Sequence, residues 1–75
     1  MNKDRRGRIQ AILDEIDTLR SSLSDIADEE QEAFDNLPEG LQGAERGQAI
    51  ESCAEGLQEA VDSLQEAVDR LTNLE

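Results

Sequence analysis

Seventy-five residues make one domain at most, and 19 acidic against 7 basic side chains give a formal charge of −12. One Cys and no His, Trp or Tyr exclude a disulfide framework, a zinc site and imidazole acid–base catalysis, while Coulomb repulsion excludes direct binding of nucleic acid by the general surface. Eighteen large apolar side chains can line a stripe but cannot fill a globular core, so self-association is the expected source of further burial.

The opening Met1-Asn2-Lys3-Asp4-Arg5-Arg6 lacks the apolar stretch of a secretory signal, and no apolar run approaches the ~20 residues of a membrane span. With a single unpaired Cys, this predicts a cytoplasmic protein without a membrane partner. Four of the seven positive charges, Lys3, Arg5, Arg6 and Arg8, fall in the first eight residues. With Asp4 the segment is +3, which leaves −15 on residues 9–75. It is a candidate anion site, or a solubilising end that pairs with acids; the second reading is the stronger, because an antiparallel partner would bring its acidic turn alongside.

From Ile9 onward the apolar residues follow a seven-residue repeat. Ile9, Ile16, Leu23 and Leu37 share one column, in which Glu30 is the polar entry. Ile12, Leu19, Ile26 and Ala33 form a second, and Leu13, Ala27 and Phe34 widen the stripe on one side. Spacings alternating three and four describe an amphipathic helix over about residues 4–36, some 45 Å or more at ~1.5 Å per residue.

Asn36-Leu37-Pro38-Glu39-Gly40-Leu41-Gln42-Gly43 ends it. Pro38 disfavours helical geometry at Leu37 and cannot donate a backbone hydrogen bond. Gly40 and Gly43 permit positive φ in a tight reversal over about 37–43. Asn36 with Glu39 fits a capping box, which allows a short helical turn inside the connection.

A second helix is predicted over about 44–73 and contains a repeat: Leu57-Gln58-Glu59-Ala60-Val61-Asp62-Ser63, then Leu64-Gln65-Glu66-Ala67-Val68-Asp69-Arg70. Ile50, Leu57, Leu64 and Leu71 form one apolar column; Ala54, Val61 and Val68 form the next, and the small residues Cys53, Ala60 and Ala67 run beside them. Two long helices joined by a short reversal must lie antiparallel. The expected architecture is therefore all-α: a single coiled-coil-like hairpin domain spanning 1–75. Both stripes are wider than a two-stranded seam needs, so a dimeric four-helix bundle or higher helical oligomer is expected. Ile16, Leu23, Ile50, Leu57, Val61, Leu64, Val68 and Leu71 are its candidate interface.

The run Asp28-Glu29-Glu30-Gln31-Glu32-Ala33-Phe34-Asp35 holds five acids in eight residues. Asp28, Glu29, Glu32 and Asp35 are the candidate macromolecule-binding residues, on the reading that a dense acidic face steers basic partners. Asp28-Glu29 with Glu32, then Glu59 with Asp62, also loosely resembles the acidic motif pair of the all-α nucleoside triphosphate pyrophosphatases. That resemblance implies helix-borne carboxylates holding magnesium against a triphosphate. Asp stands at the first motif position, and the chain is shorter than that fold's usual helix set, so a solvated acidic face is the preferred account. Glu30, in a core column, calls for a basic partner, with Arg20 and Arg46 as candidates. Cys53 reads as packing rather than as a reactive thiol. The pattern points to no catalytic set, no metal site and no cofactor.

Gly43-Ala44-Glu45-Arg46-Gly47-Gln48 opens the second helix. Glycines allow close approach to the backbone, and helix N-termini attract anions. Gly43, Arg46 and Gly47, with Arg5, Arg6 and Arg8 from a neighbouring chain, are the alternative ligand-binding set, for a small anionic nucleotide.

The segment Asp28 to Gly47, DEEQEAFDNLPEGLQGAERG, is similar to small acidic helical proteins encoded by tailed phages and prophages. The resemblance extends loosely over a basic N-terminus and Ala/Val/Leu/Asp/Glu heptads, and implies work in a bacterial host's cytoplasm, where small accessory proteins blunt host defence. The leading expectation is a non-enzymatic protein that inhibits a host factor through its acidic helical surface, as a DNA mimic in one form. The alternatives are an oligomeric sponge for an anionic nucleotide signal, a purely structural oligomer and, last, the pyrophosphatase-like enzyme.

Overall fold

Asn2 starts the first helix: its extended backbone (φ −81°, ψ 168°) leaves its side-chain oxygen free to accept from the Arg5 N–H at 2.8 Å. In the computed structural model, which describes residues 1–74, α1 runs Lys3–Asp35, α2 Glu39–Gln42 and α3 Glu45–Thr72, with no strand among the described residues. The N-cap sets the start of α1 one residue before the position that periodicity indicates.

The connection contains a helical turn, but no capping box builds it. Asn36 is already the C-cap of α1, its N–H donating to the Glu32 carbonyl at 2.9 Å, and the residue leading into α2 is Pro38, which has no side-chain cap. Nor is the reversal made with left-handed glycine: no described residue has positive φ. Two extended joints, Pro38 (φ −54°, ψ 143°) and Ala44 (φ −76°, ψ 165°), swing the chain around the rigid α2 turn. Gln42 Nε2 ties that turn back to α1, donating to the Leu37 carbonyl at 3.2 Å and the Phe34 carbonyl at 3.4 Å.

α1 and α3 pack along their length into a rod measuring 58 × 15 × 12 Å over Cα atoms. Its radius of gyration is 17.1 Å, against about 11 Å for a compact chain of this length. The seam takes Ile9, Leu13, Ile16, Arg20, Leu23, Ala27, Glu30, Phe34 and Leu37 from the α1 side, all buried or half-buried, at spacings of four and three throughout. From α3 it takes Gly47, Ile50, Ala54, Leu57, Val61, Leu64, Val68 and Leu71 at the complementary spacing. Ala27, Ala54 and Val61, at 4–5% exposure, are its driest positions, and no large described side chain is fully buried.

One sequence reading changes here. The column Ile12, Leu19, Ile26, Ala33 is not part of the seam; Leu13, Arg20, Ala27 and Phe34 take that place. Periodicity alone cannot choose which two of three adjacent apolar columns a partner covers. Ile16, Leu23, Ile50, Leu57, Val61, Leu64, Val68 and Leu71, the candidate oligomer residues, lie in the seam that joins α1 to α3 within one chain, where all but Val61 keep part of their surface exposed.

Candidate functional site

The helices are antiparallel, so one runs away from an observer at the rod's end while the other approaches. Their senses of rotation are opposed, and residues just before a seam position on either helix lie on the same side of the rod. One side therefore collects Arg5, Ile12, Leu19, Ile26 and Ala33 from α1 with Arg46, Cys53, Ala60 and Ala67 from α3, an apolar stretch with an arginine at each end. The opposite side collects Gln10, Asp17, Ser24 and Gln31 with Glu51, Gln58, Gln65 and Thr72. A shallow hollow of about 430 Å³ at the open end spans the two helices and is lined by Gln10, Asp14, Asp17 and Thr72 together with apolar residues such as Ile9 and Leu71.

The polar side has an internal order. Gln10 donates to Asp14 (3.1 Å), Gln31 to Asp35 (3.1 Å), Gln58 to Asp62 (3.3 Å) and Gln65 to Asp69 (3.0 Å), each one helical turn on. Each amide fixes one carboxylate oxygen and leaves the other free to accept. Asp17, Asp28, Glu51 and Glu55 fill the gaps between the pairs, all exposed. This is an acidic face with part of its side-chain entropy already spent.

Of the predicted acidic set, Asp28, Glu32 and Asp35 line up along α1 at spacings of four and three. Glu29 is turned about 100° away, toward the apolar side. The structure thus brings three of the four together, and adds Asp14, Asp62 and Asp69, which the search for a dense acidic run passed over. Their signal was present in the spacing Gln-x-x-x-Asp, which the Leu57–Arg70 repeat states twice. Among the described residues no group of three or more Cys, Asp or Glu converges to hold a metal ion.

The alternative ligand set is not assembled within one chain. Arg5, Arg6 and Arg8 lie at the open end of the rod and Gly43, Arg46 and Gly47 at the turn, so its length separates them. Arg8 pairs with Asp4 at 3.3 Å, both exposed. Gly47 does allow a close approach, but by the chain's own α2: a Cβ there would lie 2.5 Å from the Gln42 carbonyl oxygen and closer still to that of Leu41. Two carbonyl oxygens thus fill the space that the missing side chain of Gly47 leaves open. Gly43 meets nothing within 4 Å.

Arg20 stands in the seam with its side chain 26% exposed. Its guanidinium reaches the polar side, where Nη2 meets Asp17 at 3.0 Å, and its Nε is buried with no partner. The pairing with Glu30 does not form, nor does one with Arg46; no described ion pair includes Glu30. The reason is direction: Asp17, one turn back on the same helix, is nearer to the Arg20 head than a residue ten positions on. Cys53 is a free thiol and is exposed, not packed in the seam.

No protein-family model, curated protein or solved structure matches the chain. No described helix is long and apolar enough to cross a membrane.

Proposed function

We propose that this is a non-enzymatic binding protein that engages a basic surface of a macromolecular partner through the Gln–Asp face of its hairpin. The observation that carries this is the set of four Gln-to-Asp hydrogen bonds along one side of a 58 Å rod. Carboxylates spaced along a narrow, straight body, each with one oxygen oriented and one open, offer Lys and Arg side chains charge-assisted hydrogen bonds at low ordering cost. A DNA-binding surface has the complementary charge, so occupation of that surface in place of DNA is the form of binding we favour. In the phage setting that the segment Asp28–Gly47 resembles, the partner is a host protein of the bacterial cytoplasm, with a defence factor the leading candidate. The same reading has the hairpin self-associate as a four-helix bundle or higher oligomer, leaving the acidic face outward.

Affinity capture from a bacterial lysate, followed by titration of the captured protein, tests it. Binding is expected to weaken steeply with salt, because screening cuts the reach of exposed charge to about 8 Å at physiological ionic strength. Replacing Asp14, Asp62 and Asp69 together with Asn should slow association more than it speeds dissociation, and duplex DNA should compete. Salt-insensitive binding, or full binding by the triple variant, would exclude the acidic face as the contact surface.

A further inference from the structure

The apolar side of the rod has no partner within the chain. Ile12, Leu19 and Ile26 are 50%, 63% and 49% exposed, one below another along α1. Beside them on α3 run Cys53, Ala60 and Ala67, none of them buried. The seam took Arg20 into its own column while leaving Leu19 outside, an expensive choice for an isolated hairpin. It is a sensible one if the face carrying Leu19 is covered.

We propose that a second copy of this chain covers it, antiparallel, about a two-fold axis passing near Leu19 and Ala60. This rests on the self-association reading above and adds the face, the direction and the register. Leu19 lies sixteen residues before the end of α1 and Ala60 fifteen after the start of α3, so both stand at the same height on the rod. An axis at that height sets Leu19 against Leu19 of the second copy, and Ile12 against its Ile26. On α3 it sets Ala60 against Ala60 and Cys53 against Ala67, where small side chains let two helices come close.

Charge selects the direction. Lys3, Arg5, Arg6 and Arg8 crowd the open end, and Glu29, Glu30, Glu32 and Asp35 the turn end, where Arg46 offsets only part of the negative charge. A parallel pair would stack basic end on basic end and acidic turn on acidic turn. The antiparallel pair lays each basic end beside the other copy's acidic segment, with Arg8 level with Glu29 and Glu30 of the second copy. Glu30, half-buried and without an ion pair in its own chain, thereby gains a cation. The apolar stretch Ile12–Ala33 covers about 32 Å of the 58 Å rod at ~1.5 Å per residue, so the ~800 Å² per partner of a standard stable interface is reached only with the charged ends included, and an isologous contact closes after two copies. The polar Gln–Asp faces then point outward on both sides.

Cysteine cross-linking decides the geometry. In the full chain with Cys53→Ser, Leu19→Cys should oxidise to a covalent dimer, while Ile12→Cys should cross-link to a chain carrying Ile26→Cys and not to itself. Arg8→Glu should weaken the dimer at least about fivefold at low salt, because two exposed ion pairs are lost by symmetry and like charges take their place, and mixing with a Glu29→Arg chain should restore it. A wild-type mass of one 8.3 kDa chain by light scattering at micromolar concentration, without cross-linking, would overturn the dimer and the self-association reading together. An oligomeric mass with Leu19→Cys unlinked to itself, or linked instead to Ala60→Cys, would overturn this register and leave self-association standing.

Discussion

At Gly47 the absence of a side chain is a packing requirement. The carbonyls of Leu41 and Gln42 occupy the volume a Cβ would need, and both belong to backbone held by α2. Gly47→Ala should therefore cost stability, about 1–3 kcal/mol as for other overpacked sites. Gly56, also within α3, meets nothing within 4 Å, so Gly56→Ala should stabilise the helix by roughly 0.5–1 kcal/mol. Urea unfolding of the two variants should show midpoints moving in opposite directions. Arg20 gives a third test. Its buried Nε lacks a partner and its exposed ion pair with Asp17 is worth little, so Arg20→Leu should raise the thermal midpoint. A lowered midpoint would mean that the guanidinium has a partner the single hairpin does not supply.

Neither long helix is secure alone, because the seam that unites them supplies most of their burial. Leu64 is half-buried in the middle of α3's seam column. Leu64→Asp should reduce far-ultraviolet helicity across the whole chain, not only locally, since α1 then loses the surface it packs on. The N-cap behaves differently. Asn2→Ala removes one side-chain acceptor at the exposed start of α1, costs about 1 kcal/mol, and should fray the first turn as seen by hydrogen exchange while leaving the seam protected. The repeat Leu57–Arg70 and the seven-residue columns that begin at Ile9 and Ile12 made both helices legible in the residues alone. The α2 turn was visible only as a possibility, since Asn36 could cap in two directions and local spacing does not say which.

Along the whole rod, exposed carboxylates outnumber cations on both helices, at a net charge of −12. Self-repulsion opposes the compact state. Raising salt from about 10 to 150 mM shortens the screening length from about 30 to 8 Å, and should raise the thermal midpoint of the hairpin. The sign is opposite to that predicted for binding a basic partner, so stability and affinity should move apart in one salt titration. A midpoint that falls with salt would show that ion pairs such as Arg70–Glu66, at 2.8 Å, outweigh the repulsion.

Length, charge and periodicity sufficed for two amphipathic helices, a reversal at Pro38 and a rod too thin to enclose a core, because these follow from local geometry and from the number of apolar groups. The acidic character of the surface followed from composition in the same way. Only the tertiary structure decided which columns meet. Leu13, Ala27 and Phe34 enter the seam and Ile12, Leu19 and Ile26 stay outside it, a choice between neighbouring stripes that depends on how two helices fit, with Ala27 and Ala54 allowing close approach. That choice sorts the remaining residues into an ordered Gln–Asp face and a bare apolar one. It also places the arginines of the first turns and Arg46 at opposite ends of the molecule, a separation that no spacing along the chain records.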